Sequence, residues 1–160
     1  MKIKTTLNEK LEEYILVVSL IVLVTLVVMQ VFFRFVINFS IGWSEELARY
    51  LLIWIAWIAA SYAVQKNAHI RVEMLKDLFK NKTKQIIELI VLLISFGFAV
   101  FLAVEGTKFV LTIRTTQQVS PSLGVDMWIV YLAVPIGGTL MGIRLIQQII
   151  YIFRKPTESN

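Results

Sequence analysis

The 160-residue sequence has no cysteine, one histidine, three prolines and seven glycines. Without cysteine there is no disulfide framework, no thiolate metal site and no cysteine nucleophile. A single histidine excludes a multi-histidine metal site. Charge is also scarce. Charged residues make up 17% of the chain and hydrophobic residues 58%, against about 25% and about 45–50% in ordinary soluble domains. This balance excludes disordered, collagen-like and nucleic-acid-binding classes, each of which needs more polar or more charged sequence. GxSxG, HExxH and Walker A patterns are absent, and no paired carboxylates lie inside an apolar segment, so the chain does not read as an enzyme.

What it does contain is long apolar runs. A helix rises about 1.5 Å per residue, so crossing about 30 Å of hydrocarbon takes roughly 20 apolar residues. Residues 15–33 carry no charge at all. Residues 50–65 are uncharged but short, and borrow the turn that holds Glu46 and Arg49. Residues 89–104 lie between Glu88 and Glu105, and 127–143 continue past Arg144 to Phe153. The expected fold is all-α: an integral membrane protein, one domain over 1–160, with four transmembrane helices at approximately 13–36, 45–65, 85–106 and 126–153. The first run is longer than a signal-peptide core and no small-x-small site follows it. Phe32, Phe33, Arg34 and Phe35 follow instead, an aromatic cluster suited to the interface, so the run reads as a retained anchor.

Orientation follows from the basic residues in short loops. Lys2, Lys4 and Lys10 precede span one; Lys66, Arg71, Lys76, Lys80, Lys82 and Lys84 lie between spans two and three; Arg154 and Lys155 follow span four. Four spans place these segments on one side, where both termini are expected to be cytoplasmic. The other side has no basic residue in 37–44, and only Lys108 and Arg114 after span three, with Arg34 and Arg49 at helix ends facing it. Within the basic loop, 70–79 reads as a short amphipathic helix in the cytoplasmic interface plane. Ile70, Met74, Leu75, Leu78 and Phe79 share one face, which meets either lipid or a partner subunit. Helical spacing persists past Val104 through Phe109, Val110, Ile113 and Gln117, so span three either emerges beyond the bilayer or bends onto its surface. The break comes at Ser120-Pro121-Ser122-Leu123-Gly124, after which Asp126 is the expected N-cap of span four.

Ionisable residues near the spans each need a reason, since one at a helix centre costs about 2.5–3.5 kcal/mol. Glu45 and Glu46 stand four and three residues before Arg49 and both reach it on a helix that Ser44 is placed to cap. The group is either a local ion pair or a contact for another protein. Arg144 either snorkels to the surface or meets Glu88 at comparable depth. Gln30 is expected to hydrogen-bond between helices. Ala56, Ala59, Ala60 and Ala63 form a smooth strip on span two, and Gly138 and Gly142 a GxxxG on span four behind Pro135. Trp54 and Trp57 lie toward the middle of span two, where they either pack internally or meet another membrane protein. His69, between Lys66 and Arg71, reads as an interfacial residue.

The middle of the chain resembles the small, four-helix membrane subunit of tripartite ATP-independent periplasmic (TRAP) transporters. The likeness rests on Phe33-Arg34-Phe35, Trp43-Ser44-Glu45-Glu46-Leu47-Ala48-Arg49-Tyr50, Trp54, Ala59-Ala60 and Asn67-Ala68-His69-Ile70-Arg71-Val72. Ala60 stands where the family often has Gly, and Glu73 where Asp is frequent. The resemblance implies a bacterial inner-membrane importer in three parts. A periplasmic substrate-binding protein captures an organic acid anion, such as a dicarboxylate or sialic acid, and a large membrane subunit moves it, coupled to sodium. The small subunit braces the large one, touches the binding protein transiently, and holds no substrate, sodium or cofactor of its own. Two rival classes differ at named points. A stand-alone small exporter needs an acidic residue deep in its first span, which 15–33 lack. An assembly subunit of another complex differs only in its partners.

Overall fold

The computed structural model describes the backbone of residues 2–76 and 81–154, and the side chains of 13–64, 66, 86–150 and 152. Within these the fold is helical: α1 (Lys2–Val36), α2 (Gly42–Lys76), α3 (Asn81–Thr115), α4 (Met127–Tyr131) and α5 (Ala133–Arg154). Four stretches are long and apolar enough to cross a membrane: Glu13–Val36, Gly42–Val64, Ile86–Thr115 and Met127–Ile150. Helices are what apolar runs must form there, because hydrocarbon offers no partner for backbone N–H and C=O groups.

The helix ends follow local chemistry. After α1, Asn38 takes a left-handed conformation with φ 55°, a geometry that Asn tolerates better than most residues, and Phe39 N–H donates to the Phe33 carbonyl at 3.1 Å. The reversal is therefore short, and α2 begins at Gly42. Span four is interrupted at Leu132. Pro135 has no N–H for the Tyr131 carbonyl, yet Leu132 N–H reaches the Trp128 carbonyl at 3.0 Å and Ile136 N–H the Leu132 carbonyl at 3.1 Å. The path of α4 therefore continues into α5, and the short helix and the long one act as one proline-interrupted span. Asp126 does occupy the N-cap position of α4, but its side chain makes no capping bond. Helix α3 stays unbroken to Thr115 rather than bending at Val104. Helix α2 likewise runs through Lys76, so residues 70–76 of the expected interfacial helix extend α2 instead of starting a new element, and 77–79 lie outside the described residues.

Helix α5 is the hub. It packs against α2 on one flank and α3 on the other, while α2 and α3 touch only sparingly and α1 contacts α2 alone among the described elements. The rods thus stand in an open row, α1–α2–α5–α3, rather than around a closed core. Burial follows the row: 39% of the most apolar window of the fourth span is buried and none of that of α1. The small core joins Leu92 and Ala99 of α3 to Leu145 of α5, flanked by Val64, Phe96 and Met141. Close approach depends on two adjacent glycines facing opposite neighbours. A Cβ on Gly137 would stand 2.8 Å from the Cβ of Trp57 on α2, and one on Gly138 3.1 Å from the Ala103 nitrogen on α3. The second member of the sequence motif, Gly142, has only ordinary contacts at 3.9 Å.

Register also settles the Arg144–Glu88 question. Gly138 lies against Ala99, Leu102 and Ala103, and Gly142 against Phe96 and Ala99, so the antiparallel pairing sets Glu88 level with residues 150–152 of α5. That is about 10 Å along the axis from Arg144, at about 1.5 Å per residue. The expected contact is not among the ion pairs of the described residues, which are Glu45–Arg49 and Glu105–Lys108. Nor does Gln30 bond across helices: its Nε2 is buried without a partner, as is the hydroxyl of Ser61, a residue 2% exposed. Leaving a buried hydroxyl unpaired costs about 1–3 kcal/mol. Ser61→Ala is therefore expected to raise stability by about 1 kcal/mol; a lower melting midpoint in detergent would contradict this.

Candidate functional site

The most elaborate side-chain arrangement lies at the end of the row that holds the 37–41 and 116–126 connections. Past Thr115 the chain turns through Gln117 (φ 48°) into a short antiparallel bridge between Val119 and Asp126. Ser120 N–H donates to the Val125 carbonyl at 2.9 Å and Met127 N–H to the Gln118 carbonyl at 2.9 Å. Between them Ser120-Pro121-Ser122-Leu123-Gly124 folds as a tight turn, closed by Gly124 N–H on the Ser120 carbonyl at 3.1 Å, with Gly124 at φ 66°. A left-handed residue there favours glycine.

This turn leaves two amides pointing the same way, and the carboxylate of Glu46 receives both. Ser122 N–H donates to Oε1 at 3.3 Å and Oε2 at 3.2 Å, and Leu123 N–H to Oε2 at 3.2 Å. The Ser120 hydroxyl donates to Oε2 at 2.5 Å while accepting from Leu123 N–H at 3.1 Å. Successive backbone amides in a turn form a concavity suited to an anion, and here a residue 74 or more positions away in sequence fills it. Two further contacts continue the seam along α2. A Cβ on Gly42 would lie 3.4 Å from the Ser122 hydroxyl, and Tyr50 OH approaches the Met127 sulfur at 3.4 Å one turn beyond Glu46. The start of α2 is thus fastened to the loop between α3 and α4.

The expected residues divide accordingly. Glu45 and Arg49 do pair, at 3.9 Å with both side chains about two-thirds exposed; such exposed i,i+4 pairs contribute little. Glu46 does not join them. It faces the loop, because successive positions on a helix point about 100° apart. Ser44 does not cap α2: it lies within the first turn, fully buried, and its hydroxyl donates back to the Ile41 carbonyl at 2.9 Å. Trp43 is half exposed beside it, and Arg34 stands in the last turn of α1, where its charge suits the helix dipole. Trp57 packs internally, over Gly137, and Trp54 is half-buried. Glu88 and Arg144 are half-buried and apart. The side chain of His69 lies outside those described.

Sequence reading missed Ser120, Ser122 and Leu123 as partners. The Ser-Pro-Ser-x-Gly string signalled a chain break, and the same turn chemistry that breaks a helix frees amides for an acceptor. It also missed Gly137, which stands beside the noticed GxxxG. The alanine strip is only partly internal: Ala59 and Ala63 are half-buried while Ala56 and Ala60 are exposed, and the fully buried alanines among the described residues are Ala48, Ala99 and Ala133.

Residues 23–155 match the family model described as Tripartite ATP-independent periplasmic transporters, DctQ component, a span that includes both α2 and the anchored loop. Among similar proteins, a C4-dicarboxylate TRAP transporter small permease protein of Rhodobacter capsulatus is 32% identical over 68% of this chain and 48% of its own length. A putative TRAP transporter small permease protein of Haemophilus influenzae is 30% identical over 92% of each chain. The isethionate TRAP transporter permease protein DctMQ of Oleidesulfovibrio alaskensis is 26% identical over 89% of this chain but 24% of its own length. The chain thus spans about half of the Rhodobacter protein and about a quarter of the Oleidesulfovibrio one. With four membrane-crossing helices and a family match over most of its length, the chain belongs to the DctQ component family of TRAP transporters, multi-pass proteins of the bacterial inner membrane.

Proposed function

We propose that this chain braces a large permease subunit, staying fixed in the bilayer while that subunit carries a small organic solute inward, coupled to sodium. A periplasmic binding protein delivers the solute, and the sodium and substrate sites belong to the large subunit. One observation carries the reading: a sequence unit like this one occurs both as a small permease protein and as about a quarter of a longer permease polypeptide. A segment that persists inside the longer protein works in permanent contact with the rest of it. The open row supports this, since α1 has one helical neighbour and presents Val24, Val28 and Phe32 outward. Relatives are named for C4-dicarboxylate, isethionate, ectoine and sialic acid, so substrate choice is expected to lie in other subunits.

Both termini face the cytoplasm in this reading and the Glu46-anchored loop faces the periplasm, following the basic residues of the tails and the loop between spans two and three. The native absence of cysteine makes this directly testable. A single cysteine at Gln118 is expected to react with a membrane-impermeant maleimide on intact spheroplasts, and one at Ser159 only after lysis; the reverse pattern would invert the topology. For the bracing role, the tagged chain should retain a large membrane subunit through purification in mild detergent. Recovery as a lone monomer would reject the reading, as would solute accumulation under a sodium gradient by vesicles containing this polypeptide alone.

A further inference from the structure

At the same end of the row, α3 and the α4–α5 span form the walls of an open groove of about 470 Å³. That is within the range of about 300–1,000 Å³ common for small-ligand sites. Its walls include Val110 and Leu111 of α3 and Leu132 and Ile136 across from them. The groove exists because Pro135 interrupts the fourth span just where Gly106 lets α3 come close: a Cβ there would lie 3.2 Å from Pro135 Cδ. Two hydroxyls line it, but both are already committed. Thr107 donates to the Ala103 carbonyl at 2.6 Å and Thr139 to the Pro135 carbonyl at 2.7 Å. The interior therefore offers an occupant apolar surface and no free donor from these threonines.

The mouth is different. The Arg114 guanidinium lies 5.5 Å above the Trp128 ring, and no carboxylate pairs with it among the described residues. A cation held over an aromatic face at the bilayer edge is placed for a phosphate oxygen. Length decides what chain follows. From Trp128 to Leu140 the groove runs twelve residues along the fourth span, about 18 Å at about 1.5 Å per residue. That is close to half of a hydrocarbon core about 30 Å thick, the depth of one leaflet.

We propose that this groove holds one phospholipid of the leaflet on the loop side, with its phosphate on Arg114 and an acyl chain lying over Leu111, Leu132 and Ile136. The inference depends on membrane residence alone and not on the bracing role. Native mass spectrometry of the full chain in mild detergent, titrated with phosphatidylglycerol, tests it. Arg114→Gln should weaken the first binding event about tenfold, as expected for loss of one charged hydrogen bond. Lys108→Gln, which removes a cation already paired with Glu105 at 2.7 Å, should leave it unchanged. Ile136→Trp should displace the lipid while leaving Arg114 in place. Equal lipid retention by Arg114→Gln and Lys108→Gln overturns the proposal. So does efficient disulfide or maleimide crosslinking of a cysteine at Leu140 to a large permease subunit in native membranes, which would mean that protein fills the groove.

Discussion

Glu46→Ala is expected to free the loop between α3 and α4 from α2. The carboxylate is the common acceptor for the Ser120 hydroxyl and the Ser122 and Leu123 amides, so its loss leaves the Ser120 hydroxyl and the Ser122 amide without their acceptor and leaves the Leu123 amide only the Ser120 hydroxyl. Hydrogen exchange at the Ser122 and Leu123 amides should accelerate about tenfold or more, since local opening controls exchange. Glu46→Gln keeps one amide oxygen to accept and should fall between wild type and alanine. Ser120→Ala, at a residue 2% exposed, deletes the hydroxyl bridge without changing the backbone turn. Its effect should not add to that of Glu46→Ala, because members of one network couple. Unchanged exchange at both amides in Glu46→Ala would show that the turn holds itself. Reversing Arg49 should have little effect, and exchanging Glu46 with Arg49 should not restore the loop, because Arg49 pairs weakly with Glu45 and not with Glu46. In the proposed orientation the loop faces the periplasm, so uptake by the assembled transporter should drop with Glu46→Ala and persist in the Arg49 variant.

A larger stability effect is expected at the hub. Gly137→Ala puts a methyl 2.8 Å from the Trp57 Cβ and 3.3 Å from its carbonyl oxygen, neither of which is the free end of a side chain. Helices α2 and α5 must separate, and overpacking of this kind costs about 1–3 kcal/mol. Gly138→Ala meets backbone on the other flank, the Ala103 nitrogen at 3.1 Å and the Ala99 oxygen at 3.2 Å, and should be comparably destabilising. Gly142→Ala has room, with nothing nearer than 3.9 Å, and gains up to about 1 kcal/mol of helix propensity. The expected order of melting midpoints in detergent is Gly142→Ala at or above wild type, with the other two clearly below. Similar midpoints for Gly137→Ala and Gly142→Ala would show that α5 is not wedged between its neighbours.

The pattern at these glycines shows why motif reading found the right region and the wrong pair. GxxxG places two glycines on one face, and Gly138 does meet α3 there. Gly137 faces elsewhere, and its importance depends on which residue of α2 lies opposite. Trp57 was legible as unusual bulk at mid-span; that it rests on a glycine of α5 was not. The same holds at the loop. Glu46 stood out as an acid at a helix start, and the turn at 120–124 stood out as a break, but nothing local joins positions 74 or more residues apart.

The number of spans, the helical class, the basic bias of one side and the family were all carried by properties that add up along the chain: hydropathy per window, charge per loop, and a motif of a few dozen residues. Neighbour relations were not. In water, an apolar stripe marks the face that turns inward, but lipid is as apolar as a protein interior, so hydropathy alone does not tell a packed face from a lipid-facing one. Only the tertiary structure decided that α5 is central and α1 peripheral, that Glu46 belongs to a distant turn rather than to Arg49, and that Glu88 lies too far along the axis for Arg144. Those outcomes depend on register and shape between helices, where a shift of one turn exchanges every partner.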